Sequence, residues 1–259
     1  MASAPQTATL PLFYNDLMPL NSRDHGKWRS RTTDRAKWLA GQHAVPLTVE
    51  EFPLAQRFLP IIFSSGENPV PLALMGLNEG VNVFVDEEGK VNEQTYVPAY
   101  ARRYPFMLAK LTPDASDLSL CFDPTTDLIG EFDDGTALFE GEAPTDACKA
   151  TLSFCEQFEV AGQKTQAFIE ELTKHKLLMD GEVAIQQDGT EQPFVYSGFQ
   201  MVDEKKLQEL PGNVLRQWNQ SGLLALVYAH LFSLSLMSDI FGRQVQLGKG
   251  PVAQPQLQA

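Results

Sequence analysis

The sequence predicts an α+β fold, with a β-rich N-terminal half over about residues 45–142 and a helical C-terminal half interrupted by two strands. Three observations lead there. Short apolar runs bounded by Gly, Pro or Asn fill residues 45–122. After Pro144 the apolar spacing changes to i, i+4, i+7. No regular alternation of strand and helix marks a parallel βαβ repeat. With 259 residues, 43% of them hydrophobic, the chain can bury a sizeable core. It reads as a single α+β domain over 1–259 with flexible tails at about 1–10 and 248–259.

The runs 59–63, 71–75 and 106–108 are the first strand candidates, and Val81, Val83 and Val85 share one face of another. Asp86-Glu87-Glu88-Gly89 reads as a hairpin loop with glycine at positive φ, and Leu118, Leu120 and Phe122 mark a further strand. Asp134-Gly135 and Asp188-Gly189 are turn signals of the same kind. Cys148, Leu152 and Cys155 start a helix near Thr145, and Phe168 and Leu172 carry a second helical stripe ending around Leu178, before Asp180-Gly181. Strands follow near 183–186 and 194–202, then helices near 203–210 and 213–220 and one long helix over about 222–241. Leucines, valine and aromatics occupy nearly every side of that last helix, so it is expected to be enclosed on most sides, with any surplus apolar face covered by another subunit or a partner.

Charge narrows the function classes. Twenty Lys and Arg against 33 Asp and Glu give a net charge of −13, which argues against nucleic acid as a partner. Residues 23–37 are basic, whereas 112–146 carry ten carboxylates and no Lys or Arg. Two readings stay open: a solvated acidic face with its basic complement elsewhere on the fold, or a patch that recruits a partner of opposite charge. The start has neither a basic nor an apolar signal region, so the default location is cytoplasmic, and the cell surface would need a route without an N-terminal signal peptide. The longest apolar stretch, Leu223 to Met237, has 15 residues, short of the ~20 of a membrane helix, so no integral membrane segment is expected.

Reaction signatures are absent. There is no Gly-x-Gly-x-x-Gly, phosphate loop, His-Glu-x-x-His, Gly-x-Ser-x-Gly or Cys-x-x-Cys, so no cofactor and no metal is expected, and the three cysteines read as small buried hydrophobes. Two places hold more chemistry. Tyr96 to Phe106 sets Arg102 and Arg103 among tyrosines and prolines, suited either to planar recognition of an anion or to pairing with the acidic stretch. His25 sits among polar neighbours in Asn21-Ser22-Arg23-Asp24-His25-Gly26-Lys27, as a loop histidine or a proton-transfer group.

Pro19-Leu20-Asn21 with His25, Val45-Pro46-Leu47 with Glu51-Phe52, Phe58 to Phe63 and Leu74 to Leu77 are recognisable blocks. So are Asn82 to Asp86 with Gly89, Tyr96 to Phe106, Leu120 to Asp123, Gly198-Phe199, Val202 to Leu207 and Tyr228 to Leu231. In these blocks, from about Tyr14 to Phe241, the chain resembles the SapC family of bacterial proteins. The family name refers to a paracrystalline surface layer and brings no established reaction. The leading expectation is a non-catalytic binding or accessory protein acting with a protein or peptide partner, or as a homo-oligomer. One alternative is an enzyme or ligand-binding protein with an anion-recognising site at His25, Arg102, Arg103, Tyr104 and Asp123, in which His25 or Asp123 is the base. Another is the structural surface-layer component that the resemblance implies.

Overall fold

A computed structural model describes residues 10–92, 95–112, 114, 117–186 and 193–250. The elements begin with β1 (Met18–Pro19), α1 (Ser22–His25), β2 (Arg29–Ser30), β3 (Ala44–Pro46), α2 (Phe52–Ala55), β4 (Ile61–Ser64), β5 (Pro71–Leu74) and α3 (Ala99–Arg102). Then come β6 (Phe106–Ala109), β7 (Ser119–Phe122), β8 (Ile129–Gly130), β9 (Thr136–Ala137), β10 (Phe139–Glu140) and β11 (Ala143–Pro144). The rest is α4 (Asp146–Lys174), β12 (Leu178–Ile185), β13 (Phe194–Val202), α5 (Glu204–Gln208), α6 (Gly212–Ser221), α7 (Leu223–Ser233) and α8 (Met237–Gln246). The class is α+β, strands first and helices later. The chain divides into two compact units, Met1–Asp34 with Arg103–Glu159 and Arg35–Arg102 with Val160–Ala259; α4 contributes its first half to one and its second half to the other.

The first unit holds three small antiparallel sheets, β1-β7-β6, β8-β2-β9 and β10-β11. Phe106, Leu108 and Phe122 of the β7-β6 pair meet Ile129, Leu138 and the α4 side chains Cys148 and Cys155 in one core. Pro144 precedes that helix, and the Thr145 hydroxyl accepts the Cys148 amide, capping the start. The thiols act as small apolar groups. Burial raises the pKa of Cys121 and Cys148 and pushes Cys155 up to about 11, so all three stay protonated near neutral pH.

The second unit is built on a five-stranded antiparallel sheet in the order β12-β13-β4-β5-β3. Ile61, Ile62 and Phe63 are all buried, because β4 is central and covered on both faces. Phe168 of α4 packs on Phe52 and Phe63. Between β13 and β4 the ladder is short, pairing Phe199 with Ser64 and Gln200 with Phe63. The same register would bring Val202 opposite Ile61. The imidazole of His230 bridges these two residues instead: Nδ1 donates to the Ile61 carbonyl at 2.7 Å, and Nε2 accepts the Val202 amide at 3.1 Å. Ser233 accepts the Ile61 amide at 2.9 Å and donates to the His230 carbonyl at 2.6 Å. Two polar residues of an apolar helix thus satisfy backbone groups the sheet leaves open.

Four expectations change. The two helical stripes belong to one 29-residue helix, since nothing between Cys155 and Phe168 breaks it and each unit buries a different stretch. Asp180-Gly181 lies inside β12, at a bulge where the Phe199 ring covers the glycine so closely that a Cβ would meet it at 2.2 Å. Residues 81–85 form no strand. Buried Asn82 folds them into turns, donating to the Leu39 and Gln42 carbonyls and accepting the Phe84 and Val85 amides. The long C-terminal helix is divided by a 3₁₀ turn at Leu234–Leu236. The expected loops at 86–89 and 134–135 are present, with Gly89 at φ 84° and Gly135 at φ 94°. The turn at 188–189 and the tails 1–9 and 251–259 lie outside the described residues. Within the expected C-terminal tail, Gln244 donates to the Lys249 carbonyl.

Candidate functional site

The five residues singled out from the sequence serve several separate arrangements. Asp123 and Tyr104 are joined: fully buried, Asp123 accepts the Asn15 amide at 2.9 Å, the Thr125 amide at 2.9 Å, the Thr125 hydroxyl at 2.7 Å and the Tyr104 hydroxyl at 3.3 Å. Burial pushes this carboxyl upward, yet the hydrogen bonds outweigh it and hold the group below the usual carboxylate range. Burial likewise raises the Tyr104 hydroxyl, so this pair is ionised acid with protonated phenol. His25 closes α1, where Nδ1 accepts the Asn21 amide at 3.2 Å and the ring packs edge-on against Trp28 and Phe122.

The adjacent arginines part company. Arg103 is buried in the first unit, 4.2 Å over the Phe158 ring and 3.5 Å from Glu159. Its acidic partner is therefore on α4 rather than in 112–146. Arg102 is exposed in the second unit and donates to the Val97 carbonyl and the Tyr96 hydroxyl. The acidic stretch has its own cation: Arg31 donates to Asp134 through Nε and Nη2 at 2.8 and 2.6 Å while lying over Phe132, and Arg29 donates to the Gly135 carbonyl. These bonds tie the two oppositely charged segments together within one unit. Both partners of the Arg31–Asp134 pair are exposed, so it adds little stability.

Sequence reasoning left Glu51 without a role. It is buried, and it accepts the Thr48 amide and hydroxyl on one oxygen and the Tyr96 hydroxyl and Ala99 amide on the other. It thereby fastens the start of α3; burial, helped by the Glu51 charge and hydrogen bond, pushes the Tyr96 hydroxyl up to about 12. The signal was available in the Thr48-x-x-Glu51 capping-box spacing. Gln244 of α8 was also missed; it accepts the Leu77 amide and donates to Asn78.

An open groove of about 660 Å³ runs beside Val83, Val85, Asp86, Glu87, Leu247 and Lys249. Its Asp86 accepts the Glu88 and Lys90 amides, and Glu87 faces Lys249 at 3.9 Å. Among the described residues, no group of three or more His, Cys, Asp or Glu is placed to hold a metal ion.

The surface of α7 is different in kind. Val227, Ala229, His230 and Ser233 face the protein, and α7 packs against α2, α6, β4 and β13. On the other side Ala225, Tyr228 and Phe232 are exposed, with Phe232 67% and Tyr228 39% accessible and their rings stacked at 5.6 Å. The run Leu223–Gln246 is long and apolar enough to cross a membrane by length and composition. His230, Ser233 and Gln244 nevertheless fix one side of it to backbone groups of strand β4 and of residues 77 and 202.

The model of the SapC family matches residues 20–240, most of the chain. No curated protein and no solved structure matches it. The chain belongs to the SapC family.

Proposed function

We propose that this member of the SapC family is a non-catalytic binding protein and that a protein partner docks on the exposed face of α7. The observation that carries the reading is the pair of stacked, solvent-exposed rings of Tyr228 and Phe232, on a helix whose opposite side is bonded to the sheet. Exposed aromatics on a rigid element are the usual anchors of a protein interface. The acid and base groups fit this reading. Asp123 and Glu51 each accept four hydrogen bonds, and both ring nitrogens of His230 are engaged, so these groups organise the fold.

The test is recovery of the tagged chain from its own cells with its companions identified by mass spectrometry. Phe232→Ser should lose the companions of the native chain, whereas Val160→Ser, which removes an exposed apolar side chain from α4, should keep them. Equal recovery with both variants would contradict the reading.

A further inference from the structure

We infer that the groove beside Val83 and Val85, away from the face of α7, is a docking site for this chain's own residues 251–259, the segment that follows Gly250. The sequence of that segment alternates. Pro251, Ala253, Pro255, Leu257 and Ala259 share one side of an extended chain, while Gln254, Gln256 and Gln258 share the other. Such a pattern calls for an apolar surface under one side and water over the other. Both prolines lack an amide donor on the same edge of the extended chain. The segment can therefore pair its backbone fully on one edge only, as a strand laid along a groove does.

The fold delivers this segment to the groove. At the end of α8, Gly248 takes φ 67°, its amide donates to the Val245 carbonyl at 3.0 Å, and the Lys249 amide donates to the Gln244 carbonyl at 2.9 Å. This pair of bonds turns the chain off the helix in a Schellman motif. The Gln244 side chain donates back to the Lys249 carbonyl at 2.8 Å. The residues just before the segment are thereby fixed on the groove wall, to which Leu247 and Lys249 belong. Leu247 is 55% exposed there, and Val83, Val85 and Val91 add further apolar lining. Charge selects a neutral occupant. The acids Asp86 and Glu87 of the lining are balanced by Lys90 and Lys249, Glu87 faces Lys249 at 3.9 Å, and residues 251–259 carry no charge. Extended, these nine residues reach about 30 Å, ample for a groove of about 660 Å³. Because they are attached at the wall, their effective concentration in the groove is about millimolar or higher, so modest contacts suffice. A separate extended peptide would have to displace a segment already in place.

Nuclear magnetic resonance of the full chain with a nitroxide at Gln256→Cys tests this. Cys121, Cys148 and Cys155 are buried and their thiols protonated, so the label goes to position 256, on the polar side of the segment. Amide signals of residues 83–91 should be lost to broadening and return when the nitroxide is reduced. Ala253→Asp with Leu257→Asp, which charges the apolar side, should shift the balance toward the undocked segment by at least about tenfold and restore those signals. Gln254→Asp with Gln258→Asp, the same charge on the opposite side, should leave them broadened. Leu247→Asp should restore them from the groove side. Unbroadened signals of residues 83–91 in the labelled native segment overturn the inference, as does an equal response to the two pairs of substitutions.

Discussion

At the scale of single residues, the buried polar groups make the strongest predictions, because each has named partners. Burial holds the His230 pKa down to about 4 from 6.5, against the opposing effect of its bond to Ile61. The unfolded chain takes up this proton below about pH 6.5 and the native chain does not until about pH 4. Stability should therefore be complete above pH 6.5 and fall as pH drops toward 4, by roughly 3 kcal/mol from this group. Urea titrations at several pH values check it, and His230→Ala should be less stable at pH 7 while losing that slope. For Asp123, whose folded pKa is lowered, the contribution is present above the unfolded value near 4 and lost as pH falls through the folded one. Asp123→Asn should cost about 2–3 kcal/mol in denaturant melts at pH 7, because an amide NH₂ would replace an acceptor that faces several donors. His25 and Asp123 were legible as unusual residues. Their structural roles were not: Thr125 and Asn21 lie two and four residues away, but Asn15 and Tyr104, which bond Asp123, and Phe122, which packs on His25, come from more distant parts of the chain.

At the scale of elements, local pattern gave the strands 61–64, 71–74, 106–109 and 119–122 and most helices, because each is either a short apolar run bounded by turn residues or has a periodic apolar face. It failed where a tertiary contact decides. The joining of two stripes into α4, the passage of β12 through Asp180-Gly181 and the turns around Asn82 all depend on neighbours distant in sequence. Gly181→Ala should cost about 1–3 kcal/mol in thermal melts, since its Cβ would press into the Phe199 ring. Within the C-terminal helices the sequence could not tell the buried side from the exposed one, as both are apolar. Leu226 and Leu231 are only half-buried, so truncating either to alanine should cost less than Met237→Ala, for which the fully buried site predicts about 2–5 kcal/mol.

At the scale of the molecule, the α+β order and the family were both readable: the first comes from periodicity, the second from blocks spread along the chain. Several of those blocks owe their residues to the fold. Glu51 of one block carries Tyr96 and Ala99 of another, and His230 of a third bridges Ile61 of a fourth to Val202 of a fifth. The docking face was foreseen only as surplus apolar surface on a helix, because its location depends on which side the sheet claims. The most direct measurement places a photo-activatable cross-linking residue at position 232 and, separately, at position 160, in cells that make the native partners. The account predicts a discrete protein adduct at 232 and none at 160. No adduct at 232, or the same adducts at both positions, would contradict it.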